Sequence, residues 1–310
     1  MTLLVSSSHF ASAEALFGSA ARGDADAFSD RDVLIVDDDI TTLATRSAEL
    51  EAQGASVASY TFAKLAALAN QGALFVQHLK LEAKITRDLG GRLAEILNKF
   101  SPRADYSSDI IDNSVLCSLA GTVSAGGRGV LLAADILYVG VRNYGVLSLA
   151  ERGVHVYGFD AVIAGLEAEG LIAPGGARAL SILRFLKCLY RTGEASSSAA
   201  LLETVKTTLS VLPPTLFPAG IKVVAPHCII YAPPPTAVAS YVVLRDLECR
   251  FVALQALGYN INLNAELVRL SRWIGNPRSY TSISHQFAPH LYRIMKKIAL
   301  ECQNRSRVSS

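Results

Sequence analysis

Charged residues make up only 18% of this 310-residue chain, tryptophan occurs once, and its five cysteines include no C-x-x-C pair. Each scarcity excludes something. With so little charge and 51% hydrophobic letters, the chain lies outside the disordered composition class and can bury a large core. Cys117, Cys188, Cys228, Cys249 and Cys302 are odd in number and widely spaced, and only Cys228 has a histidine beside it, which argues against a disulfide framework and a structural zinc site. Met1 to Gly23 shows no charged segment followed by an apolar run, so no secretory signal is read and the cytoplasm is the expected location. The 22 residues between Lys222 and Arg245 include no Asp, Glu, Lys or Arg, yet Pro226 and Pro233-Pro234-Pro235 interrupt them. The other apolar run, Val130 to Val141, is short and contains Asp135, so no membrane span is expected.

What is present is unevenly distributed. Residues 1–101 hold 9 basic against 13 acidic side chains, residues 102–212 hold 9 against 10, and residues 213–310 hold 11 against 4. At a soft ~150 residues per domain the length allows about two domains with room for an appendage. The pattern predicts a small α/β domain over 1–101, a helical domain over 102–212, and a proline-rich connector with basic helices over 213–310. In the first part, 9–17 reads as a short helix, 32–36 as a β-branched strand, 41–53 as a helix stopped by Gly54, 55–60 as a second strand and 60–69 as a helix. Helices follow over 73–89 and to about Phe100, then near 107–122, 129–150, 160–170, 175–192 and 197–211. Three more are expected near 237–257, 263–274 and 284–302. The 129–150 helix is apolar on nearly every side and should be central. Seven of the eleven prolines fall between Pro213 and Pro235, which predicts an ordered irregular connector or a short paired strand.

The informative stretch runs from Gly18-Ser19 through ten residues to Asp30-Arg31-Asp32, where a strand opens. Strand side chains alternate, so Asp30 and Asp32 project from one face. Two adjacent carboxylates repel unless a cation sits between them, and oxygen ligands so spaced suit Mg²⁺, which completes its shell from water and nucleotide phosphates. The Gly-Ser turn offers backbone N–H groups and a hydroxyl to those phosphates, because glycine lets the chain approach closely.

This G-S-x10-D-x-D word, with Arg22-Gly23 after the Gly-Ser and Ser29 before the first Asp, resembles the signature of polymerase β-like nucleotidyltransferases, in their minimal and aminoglycoside-modifying branches. Leu74-Phe75 and His78-Leu79-Lys80-Leu81-Glu82 are similar to the helix that follows the core in bacterial members. The resemblance covers residues 8–90. It implies transfer of a nucleoside monophosphate from an NTP, with ATP the expected donor, to an acceptor hydroxyl, with release of pyrophosphate. It assigns nucleotide contacts to Gly18 and Ser19, with Ser29 beside them, and the two catalytic Mg²⁺ ions to Asp30 and Asp32; Arg22 reads either as a phosphate contact or as a structural salt bridge. The family's third carboxylate falls on Ser56, and the 55–60 strand has no acid; the nearest are Glu51, Asp37, Asp38 and Asp39. Nucleotide and Mg²⁺ binding survive that departure, whereas the catalytic step lacks its third ligand.

Several other features are weighed against plainer roles. Asp37-Asp38-Asp39 reads first as a polar turn. Lys80, Lys84 and Arg87, spaced i, i+4 and i+7, read as one solvated helix face. His78 reads as a core or interface residue, Gly126-Gly127-Arg128-Gly129 as a hinge without the ending of a P-loop, and Arg152 with His155 as a chance pairing. From Arg269 onward eight basic residues meet one acid, Glu301, and aromatics are interleaved. Arg272, Arg278, Lys296 and Lys297 are therefore candidate contacts to an RNA or other macromolecular acceptor, which the composition favours over a small molecule. The alternatives are a catalytically impaired nucleotide-binding component of a regulatory, toxin–antitoxin or defence assembly, and an RNA-binding interaction protein. Apolar helical faces make a homodimer or partner complex an expectation.

Overall fold

The computed structural model describes residues 10–308 except 24, 26–29, 194–197, 218–219, 236–238 and 276–286. The chain is mixed α/β, with a four-stranded mixed sheet near its N-terminus and a mostly helical remainder. It forms two units, residues 1–106 with 146–162 and residues 107–145 with 163–310.

The first unit contains β1 (Ala13–Phe17), α1 (Ser19–Arg22), β2 (Arg31–Val36), α2 (Ile40–Ala52), β3 (Ala55–Tyr60), α3 (Phe62–Asn70), α4 (Leu74–Glu82), β4 (Lys84–Asp88) and α5 (Arg92–Lys99). The sheet order is β3-β2-β1-β4; β1 is antiparallel to both β2 and β4, and β2 is parallel to β3. The run Val33-Leu34-Ile35-Val36 is buried throughout because helices cover both faces of its strand. Leu34 and Val36 pack with Ala13, Ala15 and Phe17 under Phe62, Leu65, Val76, Leu79, Leu93 and Leu97 of α3, α4 and α5. Val33, Ile35 and Val57 pack on the opposite face under Leu43 and Leu50 of α2.

Two expectations for this unit are corrected. Residues 9–17 are not helical where described: Ala13–Phe17 is the strand β1, because pairing on both sides to β2 and β4 outweighs the helix preference of an Ala-Glu-Ala-Leu-Phe sequence. The helix expected over 73–89 ends at Glu82, where Ala83 turns extended, and Lys84–Asp88 joins the sheet edge as β4. Lys80, Lys84 and Arg87 consequently share no helix face. Lys80 instead donates to the carbonyls of Asn98 and Phe100, closing the end of α5, and Arg87 lies over the Phe10 ring.

The remaining elements are α6 (Ser107–Ser118), β5 (Thr122–Ser124), α7 (Gly127–Ala150), α8 (Phe159–Ala168), α9 (Gly176–Thr192), α10 (Ser198–Leu209), β6 (Lys222–Val224), α11 (Pro226–Tyr231), α12 (Ser240–Ala256), α13 (Ala265–Gly275) and α14 (Ala288–Val308). The proline-rich connector supplies β6, which pairs in parallel with β5, and α11, whose first turn accommodates Pro226. Buried Arg250 of α12 holds this connector by donating to the carbonyls of Ile230, Ala232 and Pro233 while paired with Asp246. By length and composition α7 alone among the described helices could cross a membrane, and 67% of its most apolar window is buried. Asp135 of α7 is fully buried and ion-paired with Arg245 of α12 and Arg191 of α9; Arg245 also pairs with Glu248, which accepts the Tyr190 hydroxyl at 2.6 Å.

Candidate functional site

The Gly-Ser turn and the D-x-D strand meet at one end of the sheet. β1 ends at Phe17, which stands opposite Asp32 in the antiparallel register. Gly18 follows with φ 68° and ψ −152°, a conformation that side-chain-bearing residues avoid. Its backbone also lies against the carboxylate: a Cβ at position 18 would be 2.7 Å from Asp32 Oδ2. The Gly18 carbonyl accepts the N–H groups of Ala21 and Arg22 at 3.1 and 3.0 Å, which winds α1 immediately after the turn. Asp32 alternates with Leu34 and Val36 and so belongs to the sheet face covered by α3, α4 and α5. Asp32 is half-buried and Asp30, just before β2, is exposed. Ser29 lies outside the described residues.

Arg22, read from the sequence as either a phosphate contact or a structural salt bridge, makes a salt bridge to α4. Its Nη1 donates to Glu82 Oε2 at 2.5 Å, and the same oxygen receives His78 Nε2 at 2.9 Å. Burial works against the charged form of Glu82, but the hydrogen bonds and charges of His78 and Arg22 outweigh it and hold the carboxyl below its ordinary range. The His78 ring stacks on Tyr157 at 4.3 Å and meets Phe17 edge-on at 5.5 Å. Nη2 of Arg22 faces Gly158, where a Cβ would lie 3.2 Å away. Sequence reasoning placed Arg22 beside this turn, read His78 as a core or interface residue and Glu82 only as part of the helix after the core, and did not reach Tyr157 or Gly158. The i, i+4 spacing of His78 and Glu82 was the one local signal available.

Ser56 stands directly beside Asp32 in the parallel β2–β3 register. The other acids considered for a third ligand are elsewhere. Asp37, Asp38 and Asp39 follow the far end of β2, and Asp37 lies five residue steps along the strand from Asp32, roughly 16 Å. Each has its own role there: Asp37 accepts from the backbone and hydroxyl of Ser12, Asp38 pairs with Arg92, and Asp39 caps α2 through Thr41 and Thr42. Glu51 is exposed on α2, which covers the opposite sheet face. Among the described residues no three of His, Cys, Asp and Glu group as a metal site. Asp32 offers carboxylate oxygens beside the Gly18 turn and Asp30 lies just before the same strand, and carboxylate oxygens are the donor type that a hard divalent cation combines with water and phosphate.

At the C-terminus, Arg272 and Lys297 are exposed and Lys296 is half-buried, while Arg278 lies outside the described residues. The described aromatics here serve packing. Trp273 and Phe287 pack on the core formed by Leu244, Leu247, Leu267, Leu270 and Met295, and buried Tyr292 lies under the Arg250 guanidinium. Arg269 covers the Trp273 ring at 4.8 Å. No protein-family model matches the chain, and no curated protein is similar to it in sequence.

Proposed function

We propose that this protein is a polymerase β-like nucleotidyltransferase that moves a nucleoside monophosphate from an NTP, with ATP the expected donor, to a hydroxyl of a protein or RNA acceptor. One observation carries the reading: Gly18, in a backbone conformation open only to glycine, abuts the Asp32 carboxylate of the D-x-D strand. Gly18 and Ser19 would present backbone N–H groups and a hydroxyl to the phosphates, and Arg22 a guanidinium. Asp30 and Asp32 would hold Mg²⁺. The cation, when bound, neutralises charge on the triphosphate and favours departure of pyrophosphate. The protein's part is positioning and charge, with little covalent chemistry of its own. The basic residues Arg272, Lys296 and Lys297, with Arg278, support a polyanionic acceptor through charge alone, since the described aromatics are committed to packing.

A second reading is favoured by Ser56 in register with Asp32. A serine there supplies neither a third metal ligand nor a base for the acceptor hydroxyl, which suits a nucleotide-binding protein of a regulatory or toxin–antitoxin assembly that no longer transfers. Purified protein incubated with each labelled NTP, Mg²⁺ and a cell lysate separates the two. Transfer of label to protein or RNA, abolished by Asp30→Ala with Asp32→Ala, supports the enzyme; tight NTP binding with no transfer under any condition supports the binding protein.

A further inference from the structure

We infer that Glu82 and Gly158 form a clamp that positions Arg22 for the triphosphate of the bound nucleotide. The inference rests on the nucleotide reading of Gly18, Ser19, Asp30 and Asp32. Arg22 is tied to the Gly-Ser turn at its backbone, where its N–H donates to the Gly18 carbonyl at 3.0 Å. Its side chain is then fixed by groups far away in sequence. Glu82 Oε2 takes Nη1 at 2.5 Å, and the bare Cα of Gly158 leaves room for Nη2. A Cβ added at 158 would lie 3.2 Å from Nη2, so the guanidinium would have to shift by a few tenths of an ångström, and a branched side chain would crowd it further.

Glu82 is itself fixed. His78 Nε2 donates to the same oxygen, and the imidazole stacks on Tyr157 and makes a T-shaped contact with Phe17. Phe17 is the residue before Gly18, so the chain of interactions runs from the turn through Phe17, His78, Glu82 and Arg22 back to the turn. Tyr157 and Gly158 are chain neighbours, and one steadies the histidine while the other admits the arginine. A long flexible side chain loses rotamer freedom when it grips an anion, and a guanidinium already held in place loses less. Glu82 cannot aid an anionic ligand by its own charge. Its contribution is orientation, which makes it a positioning residue and Gly158 a steric requirement.

Calorimetric titration of the full chain with MgATP and with MgGTP tests this. Arg22→Ala is expected to weaken the better-bound nucleotide by about tenfold or more, as removal of a charge-assisted hydrogen bond does. Glu82→Ala and Gly158→Val should each weaken it by roughly fivefold, and Glu82→Ala should add under about twofold in the Arg22→Ala background, because the two side chains act as one. Glu82→Gln, which keeps an acceptor oxygen, should recover part of the affinity; it also serves as the test variant if Glu82→Ala fails to fold. Wild-type affinity in Glu82→Ala and Gly158→Val, or equal losses from Glu82→Ala with and without Arg22, overturns the clamp and leaves the nucleotide reading intact. Absence of nucleotide binding by the wild type overturns the reading beneath it.

Discussion

Asp32 and Ser56 occupy adjacent parallel strands in direct register, so their side chains leave the same face of the sheet about 4.8 Å apart at the backbone. Replacing Ser56 by Asp puts a second carboxylate against the first. Without a divalent cation their repulsion disfavours the fold, and a bound cation reverses the effect. The Ser56→Asp protein is therefore expected to melt several degrees below wild type in chelator and to regain most of that loss in millimolar Mg²⁺, a ligand-linked gain of about 1–3 kcal/mol. Thermal scans of both proteins with and without Mg²⁺ measure it. An equal response in the two proteins would remove Asp32 from any metal site. The same variant restores the acid that the nucleotidyltransferase resemblance expects, so a rise in NMP transfer belongs to the same outcome.

Among the elements, α7, α9 and α12 are joined through charges that have no water to fall back on. Asp135 and Glu248 are buried with Arg245 between them, and Arg191 reaches Asp135 from a partly exposed position. Burial opposes ionisation of Asp135, but the charges of Arg245 and Arg191 more than compensate and hold its carboxyl below the ordinary aspartate value. Its contribution to stability is thus complete above that ordinary value and fades as the pH falls through the lower, folded one. Arg245→Met leaves buried Glu248 without a cation and Asp135 with Arg191 alone, and should cost about 3–5 kcal/mol at about pH 7, with a smaller penalty at about pH 3; replacing Asp135, Arg245 and Glu248 together by apolar residues of similar volume should cost far less. Urea midpoints at the two pH values decide this.

The elements also show which parts of the fold could be read in advance. β2, α2, β3 and the long helices announce themselves through local period, caps and glycine stops. β1 and β4 do not, because Ala-Glu-Ala-Leu-Phe is helix-prone by letter and becomes a strand only between two partners, one of them more than 65 residues away. The site divides along the same line. Gly18, Asp30 and Asp32 are a local word of fixed spacing, whereas the approach of Arg22 to Glu82 and Gly158 arises from tertiary packing that no local pattern encodes.

For the whole molecule, the charge asymmetry is the property with the longest reach. The first 101 residues carry an acidic excess and the last 98 a basic one, and exposed Arg272 and Lys297 contribute to the latter. If this end meets a nucleic acid, binding is electrostatic and falls with salt. Changing Arg272, Lys296 and Lys297 together to Ala should weaken single-stranded RNA evenly across sequences and reduce the slope of log K against log salt by about 0.7 for each phosphate no longer neutralised. Fluorescence anisotropy with two unrelated oligonucleotides over a salt series provides the measurement. An unchanged slope would exclude these three residues from an RNA interface.

The ion pair between Asp135 and Arg245 joins positions 110 residues apart, and this separation has a consequence for synthesis. A ribosome adding roughly 5–20 residues per second leaves α7 without its α12 partner for about 5–20 s. During that interval the chain displays a long apolar helix whose aspartate has at most its nearer partner, Arg191, 56 residues downstream, a segment that chaperones and membrane-insertion machinery would both meet before the fold can claim it. Slow codons between positions 150 and 245 would lengthen that exposure, and rapid translation through them would shorten it.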